Sequence, residues 1–241
     1  VGGVIVASFE KSWGTAYRPR EIIRGIFHWS IGFAGWLLLQ VVCISMLLLG
    51  FILFSIGGTM FLLDSLRAKL GDRLTNGKGV LSSLIRVLYH WLYRESEHNR
   101  RGNVILSFLG LGVAWFVCYL VDVPWIAAGV CVLFSQVDPF AKFGMKWPIY
   151  RFQHGIIAGK SVGGALFGAL GGTLGVATIV LFHFIHKPFF PVEMPLEEIL
   201  FIYVLGIVTA VVAELFSGKW DNFAIPVASS VVMVWTYLLL T

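Results

Sequence analysis

The chain has 241 residues, of which 58% are hydrophobic and only 13% charged, with a mean hydropathy of +0.84. That balance excludes an ordinary water-soluble domain and requires most of the chain to meet lipid. A net charge of +5 fits a basic rim against anionic lipid, so no nucleic-acid partner is expected.

A bilayer core of about 30 Å takes roughly 20 apolar residues per helical crossing. At the start of the chain Glu10 and Lys11 follow a short apolar stretch with no Ala-x-Ala-like site beyond, so a cleaved signal peptide is not expected. Apolar runs then fall at about 24–40, 41–63, 103–121, 124–137, 161–184, 199–216 and 222–240, which gives seven predicted crossings. From Ile22 to Leu63 the apolar stretch is broken only by small residues and Gln40, and the fourth run is short. Either place is open to a half-helix or a re-entrant element. The one sizeable soluble insertion is 64–102. Within it Leu81, Leu84, Ile85, Leu88, Trp91 and Leu92 recur at helical spacing against Ser82, Ser83, Arg86 and Arg94, which predicts an amphipathic helix lying in the interface. No repeat or Pro/Ser-rich linker divides the chain. The expected fold is all-α: a single polytopic membrane domain over 1–241, with about seven transmembrane helices, cytoplasmic loops and one interfacial helix.

Charge sets the orientation. Of the 18 Lys and Arg, four lie in 1–24, eight in 64–102, four in 138–160 and one in 217–222, leaving only Lys187 for a predicted outer loop. Basic residues are retained on the cytoplasmic side during insertion, so the N-terminus and these four segments are placed inside. Asp122, Glu193, Glu197 and Glu198 fall outside. Cys43, Cys118 and Cys131 sit within predicted spans without a C-x-x-C pairing and read as small packing residues. The six histidines have no zinc-ligand spacing, and His183 and His186 fall near the outer end of the fifth span.

Four polar constellations lie on the inner face. Glu21, Arg24 and His28 occupy positions i, i+3 and i+7 at the mouth of the first span, so a helix puts them on one face; a snorkelling Arg with a capping Glu is the plainer reading. Next is the run from Arg94 to Asn103, either a solvated charged face or Arg and Glu placed to hold phosphates. Third come Asp138, Lys142, Lys146, Arg151 and His154, followed by Gly159-Lys160-Ser161 and Gly164 at the start of a glycine-rich span. An aspartate at the end of a buried helix needs a partner, and a cation is one. Gly-Lys-Ser at a helix start suits a polyphosphate. It is not a Walker A loop, because His154 replaces the required first Gly and no strand precedes it. The same glycines, Gly163, Gly164, Gly168, Gly171, Gly172 and Gly175, also suit close helix packing. Last is Glu214 near the end of the sixth span, followed by Asp221-Asn222 and Pro226. These oxygen donors share a face with Asp138 and suit a hard cation such as magnesium, while Asn222 equally suits an N-cap.

Taken in order, these residues resemble the CTP-dependent lipid kinases: dolichol kinase, phytol kinase, the CTP-using diacylglycerol kinase and the polyprenol kinases. Glu21, Arg24 and His28 match that family's opening acid, Arg-Lys and His, with Gly25 in place of the Lys. Arg94, Glu95 and Gly102 echo its Arg-Glu element before a Gly. Asp138 and Ala141 match Asp-x-x-Ala; Lys160, Ser161 and Gly164 match Lys-Ser/Thr-x-Glu-Gly; Glu214, Asp221, Asn222 and Pro226 match a Glu followed by Asp-Asn-x-x-x-Pro. The resemblance spans nearly the whole chain, and the last two motifs are its most specific elements. Two departures stand out. Gly163 replaces the usual Glu, and Gly144 sits one residue early for Asp-x-x-Ala-x-x-x-Gly.

The resemblance implies an integral-membrane kinase that moves the terminal phosphate of CTP, with Mg2+, to the hydroxyl of a polyprenol, dolichol, phytol-type alcohol or diacylglycerol. It implies Asp138, Lys160, Glu214 and Asp221 as catalytic residues, with Asp138, Asp221 and Glu214 as metal ligands. Arg24, His28, Arg94, Lys142, Lys146, Gly159, Ser161, Gly164 and Asn222 would hold the nucleotide. The expected partners are membrane lipid, the lipid alcohol and the nucleotide, in a prokaryotic plasma membrane or the endoplasmic reticulum, with homo-oligomerisation open. A lipid cytidylyltransferase needs similar geometry, but its Lys-Asp and paired-Asp signature is missing. An ion-coupled or lipid transporter would place its acids at the midplane with inverted repeats, and neither feature is apparent.

Overall fold

The computed structural model describes residues 45–70, 103–185 except 148, 154 and 156, and 190–241 except 192, together with Ile26, Trp29, Ser30, 32–37 and Ser83. Every regular element among them is helical. Helix α1 is Met46–Leu70, α2 Asn103–Leu120, α3 Pro124–Gly144, α4 Val162–Ile185, α5 Leu196–Phe216 and α6 Asp221–Leu240. Residues 32–37 are helical as well. The last four helices are long and apolar enough to cross a membrane, while α1 and α2 carry shorter apolar stretches, Leu48–Leu62 and Ile105–Leu120. Outward residues such as Phe201, Val204 and Val208 on α5 or Trp235 and Leu239 on α6 are apolar and exposed. Apolar outer faces on successive helices are what a lipid surround requires.

Helix α3 is the axis of the bundle and packs on α2, α4, α5 and α6. Its sequence is apolar on all sides from Trp125 to Phe134, so no face prefers the exterior, and 15 of its 21 residues are buried. Chain geometry at its start is local. The N–H of Val123 donates to the carbonyl of Cys118 and that of Asp122 to Tyr119, with Asp122 at φ 57°. This is a Schellman stop for α2, in which a short polar residue tolerates the left-handed conformation. Pro124 then occupies the first turn of α3, where its missing N–H costs nothing.

Small residues set the helix spacing. Gly163, Gly164, Gly168, Gly171, Gly172 and Gly175 are all buried on α4. A Cβ on Gly171 would come within 2.7 Å of Phe140 and 2.8 Å of the Gln136 carbonyl of α3. At the end of the seam the approach is backbone to backbone, since a Cβ on Gly144 would meet the Gly163 carbonyl at 2.3 Å and one on Gly163 the Gly144 carbonyl at 2.7 Å. Close approach of this kind replaces the hydrophobic effect as the force between helices in lipid.

The seven-run reading anticipated α4, α5 and α6 within a few residues. Helix α3 runs past the expected 124–137, through Asp138 and Pro139. The first run and the predicted interfacial helix at 81–92 lie outside the described residues, apart from the positions named above.

Candidate functional site

Three helix ends meet at one end of the bundle. Asp138 stands in the penultimate turn of α3, Glu214 in the last turn of α5, and Asp221 begins α6. Glu214 and Asp221 come together because the link between their helices is tight: Gly218 has φ 56°, and the single 3₁₀ turn Gly218–Trp220 leads straight into α6. One carboxylate oxygen from each of the three residues lies within 4.8 Å of the others. The acids are buried, at 0% exposure for Asp138, 2% for Glu214 and 8% for Asp221.

Two lysines neutralise part of this charge. The ammonium of Lys142 donates to Asp138 Oδ2, one helical turn earlier on α3. Lys160 arrives from a different element. After α3 the chain turns back on itself, with the Phe152 N–H donating to the Lys160 carbonyl at 2.9 Å and the Gly159 N–H to the Phe152 carbonyl at 2.9 Å. Gly155 and Gly159 adopt φ 79° and 86°, so both bends need glycine. Lys160 then points its ammonium at Glu214 Oε1, with Asp221 Oδ2 at 3.9 Å. One residue later Ser161 caps α4, its Oγ accepting the Gly164 N–H at 2.9 Å.

Of the expected site residues, Asp138, Lys142, Lys160, Ser161, Glu214, Asp221 and Asn222 are brought together here through these contacts and turns. Asn222 is buried in the first turn of α6, its N–H bonded to Asp221 Oδ1 at 2.8 Å, and the N-cap position belongs to Trp220. The N-cap reading of Asn222 therefore does not hold. Lys146 lies with its ammonium 5.8 Å from the Phe143 ring centroid, at the margin. Gly159 shapes the turn and Gly164 packs on Ala141 and Met145. Arg24, His28 and Arg94 lie outside the described residues.

The sequence reading missed how two basic residues are engaged. Lys142 and Lys160, expected to hold phosphates, are paired with carboxylates. The first pair was legible as an i, i+4 spacing; the second joins residues 54 positions apart. Also missed was the meaning of the two departures from the family pattern. Gly144 and Gly163 touch each other, so a glutamate at 163 has no room between these backbones.

Elsewhere among the described residues, several polar side chains bond within the bundle. The Trp115 indole N–H donates to Cys131 Sγ at 3.1 Å, and Cys118 and Cys131 are buried free thiols, as their packing role predicts. His183 Nδ1 accepts the Phe190 N–H at 3.3 Å. Among the described residues the three acids are the one group suited to a metal ion.

Compared with family models, curated proteins and solved structures, the chain matches none.

Proposed function

We propose that this chain is an integral-membrane lipid-alcohol kinase that transfers the terminal phosphoryl group of a nucleotide, by resemblance CTP, to the hydroxyl of a polyprenol, phytol-type alcohol or diacylglycerol. The observation that carries the reading is the convergence of Asp138, Glu214 and Asp221 beside Lys160 at one end of a mainly apolar bundle. Buried charge inside a membrane bundle is costly and marks function. Its position at helix ends favours chemistry at the surface over a midplane transport site.

In this reading Asp138, Asp221 and Glu214 hold a magnesium ion. The donor set fits, because hard cations prefer several oxygen ligands and these carboxylates come from three separate helices. The ion, when bound, supplies charge neutralisation for the phosphates. The residues do the rest. The acceptor oxygen attacks the terminal phosphorus, the bond to the bridging oxygen breaks, and the nucleoside diphosphate leaves. Glu214 or Asp221 orients the acceptor hydroxyl and takes its proton. Lys160 and, by resemblance, Arg24 steady the transferred charge. The topology that accompanies this function is seven spans with the N-terminus and the site on the cytoplasmic side, and an interfacial helix within 64–102 at the rim where lipid enters.

The test supplies the protein, in lipid nanodiscs with magnesium, with terminally labelled CTP or ATP and one lipid alcohol at a time. Label in the extracted lipid, greater from CTP, supports the kinase and identifies the acceptor. Pyrophosphate release would instead identify a cytidylyltransferase, and ion-driven flux into liposomes without nucleotide turnover would identify a transporter.

A further inference from the structure

We propose that Lys160 is a resident counter-cation, which closes the three-acid cluster to a free divalent ion and yields its place only when the ion arrives with a polyanion such as nucleotide phosphates. The proposal rests on the kinase reading and concerns the order in which the site fills.

Formal charge comes first. Among the described residues, three carboxylates and two ammonium groups sum to one negative charge, so Lys142 and Lys160 already offset most of the acids' charge before any ligand enters. Geometry then places Lys160 where an ion would go. Its ammonium is within 2.5 Å of Glu214 Oε1 and 3.9 Å of Asp221 Oδ2. An ion held at the usual distance of about 2.1 Å from those oxygens would lie within about 5 Å of that ammonium. The acids are almost completely enclosed, and at that separation in such surroundings two cations repel far more than in water. One of them has to move.

The carboxylates have little space to retreat, because all three are buried at the ends of packed helices. Lys160 can. It sits in the loop immediately before α4, carries its charge on a flexible four-carbon stem and keeps 15% of its side chain exposed. A free ion offers the displaced ammonium nothing in return, whereas a phosphate chain offers it a new partner beside the old one. Lys142 also lies against a carboxylate of the cluster, but it stands on α3 itself with a third of its side chain exposed, so it can turn outward without any rearrangement of the loop before α4. Lys160 thus makes divalent binding conditional on nucleotide, and its move from Glu214 to phosphate frees the carboxylate as the substrate complex assembles.

The experiment uses the full chain in lipid nanodiscs with Mn2+ as the probe, protein-bound Mn2+ being read by electron paramagnetic resonance with and without CTP after subtraction of the Mn2+ that CTP binds in matched samples with empty nanodiscs. The wild type is expected to bind Mn2+ weakly alone and about ten-fold or more tightly with CTP, while Lys160→Met binds Mn2+ alone about ten-fold more tightly than the wild type and loses the CTP dependence. Lys160→Gln keeps a donor for Glu214, is expected to behave alike, and carries the test if the methionine variant does not fold. Asp221→Asn in each background must abolish the binding. If the Lys160 variants bind Mn2+ no more tightly than the wild type while Asp221→Asn still abolishes it, the counter-cation role is overturned and the metal site stands. If no Mn2+ binding depends on Asp221, with or without CTP, the metal-site reading falls, and this proposal with it.

Discussion

The two ends of α3 are built from opposite materials. At its start the Trp125 ring meets Phe190, Tyr203 and Tyr237 edge to face, at centroid distances of 5.9, 5.8 and 6.0 Å. The Tyr203 hydroxyl donates to the Trp125 carbonyl at 3.0 Å, so this end satisfies itself. Thirteen residues on, about 20 Å along the axis at 1.5 Å per residue, Asp138 joins Glu214 and Asp221. Burying rings stabilises a bundle. Burying carboxylates costs several kcal/mol apiece before pairing offsets it. The aromatic end holds the helices together, and the acid end carries a burial cost that the proposed chemistry would explain.

Substitutions at the two ends should therefore separate activity from stability. The largest effect is expected for Asp138→Asn, which should lower phosphoryl transfer by about a thousand-fold. Its midpoint of thermal unfolding should move by only a few degrees, because the released Lys142 is already partly exposed and can turn outward. Trp125→Ala should do the reverse, costing about 3 kcal/mol of stability in denaturation measurements and leaving the rate per folded molecule nearly unchanged.

The α3–α4 seam sharpens the contrast. Gly163→Ala and Gly171→Ala both add a methyl where a Cβ meets a neighbour at 2.7 Å, and each should destabilise by about 1–3 kcal/mol. Only Gly163 stands three residues from Lys160, so only that variant should also lose transfer, by roughly ten-fold. The smallest effect is expected for Tyr203→Phe, about 1 kcal/mol of stability from one lost hydrogen bond, with transfer unaltered.

The sequence made the apolar helices legible because a long apolar run has few alternatives in a membrane. The end of α3 was not legible in that way. Asp138 and Pro139 interrupt the hydropathy, yet the helix continues to Gly144 because Lys142 neutralises the aspartate from within the same helix. Site residues carried by motif, Asp138, Lys160, Glu214 and Asp221, do converge. What the motif could not carry was the pairing between them, since the Lys160–Glu214 contact depends on a turn fixed by Gly155 and Gly159 and on the packing of α4 against α5. Gly144 and Gly163 looked like two separate departures from a family pattern; in space they are a single contact.

The most direct measurement compares wild type, Asp138→Asn and Trp125→Ala in nanodiscs for transfer of terminal label from CTP into extractable lipid, with the folded fraction of each determined in parallel. The account predicts labelled lipid from the wild type and from folded Trp125→Ala, and none from Asp138→Asn. Labelled lipid that does not depend on Asp138, or no labelled lipid from folded wild type with any of the alcohols, would contradict it.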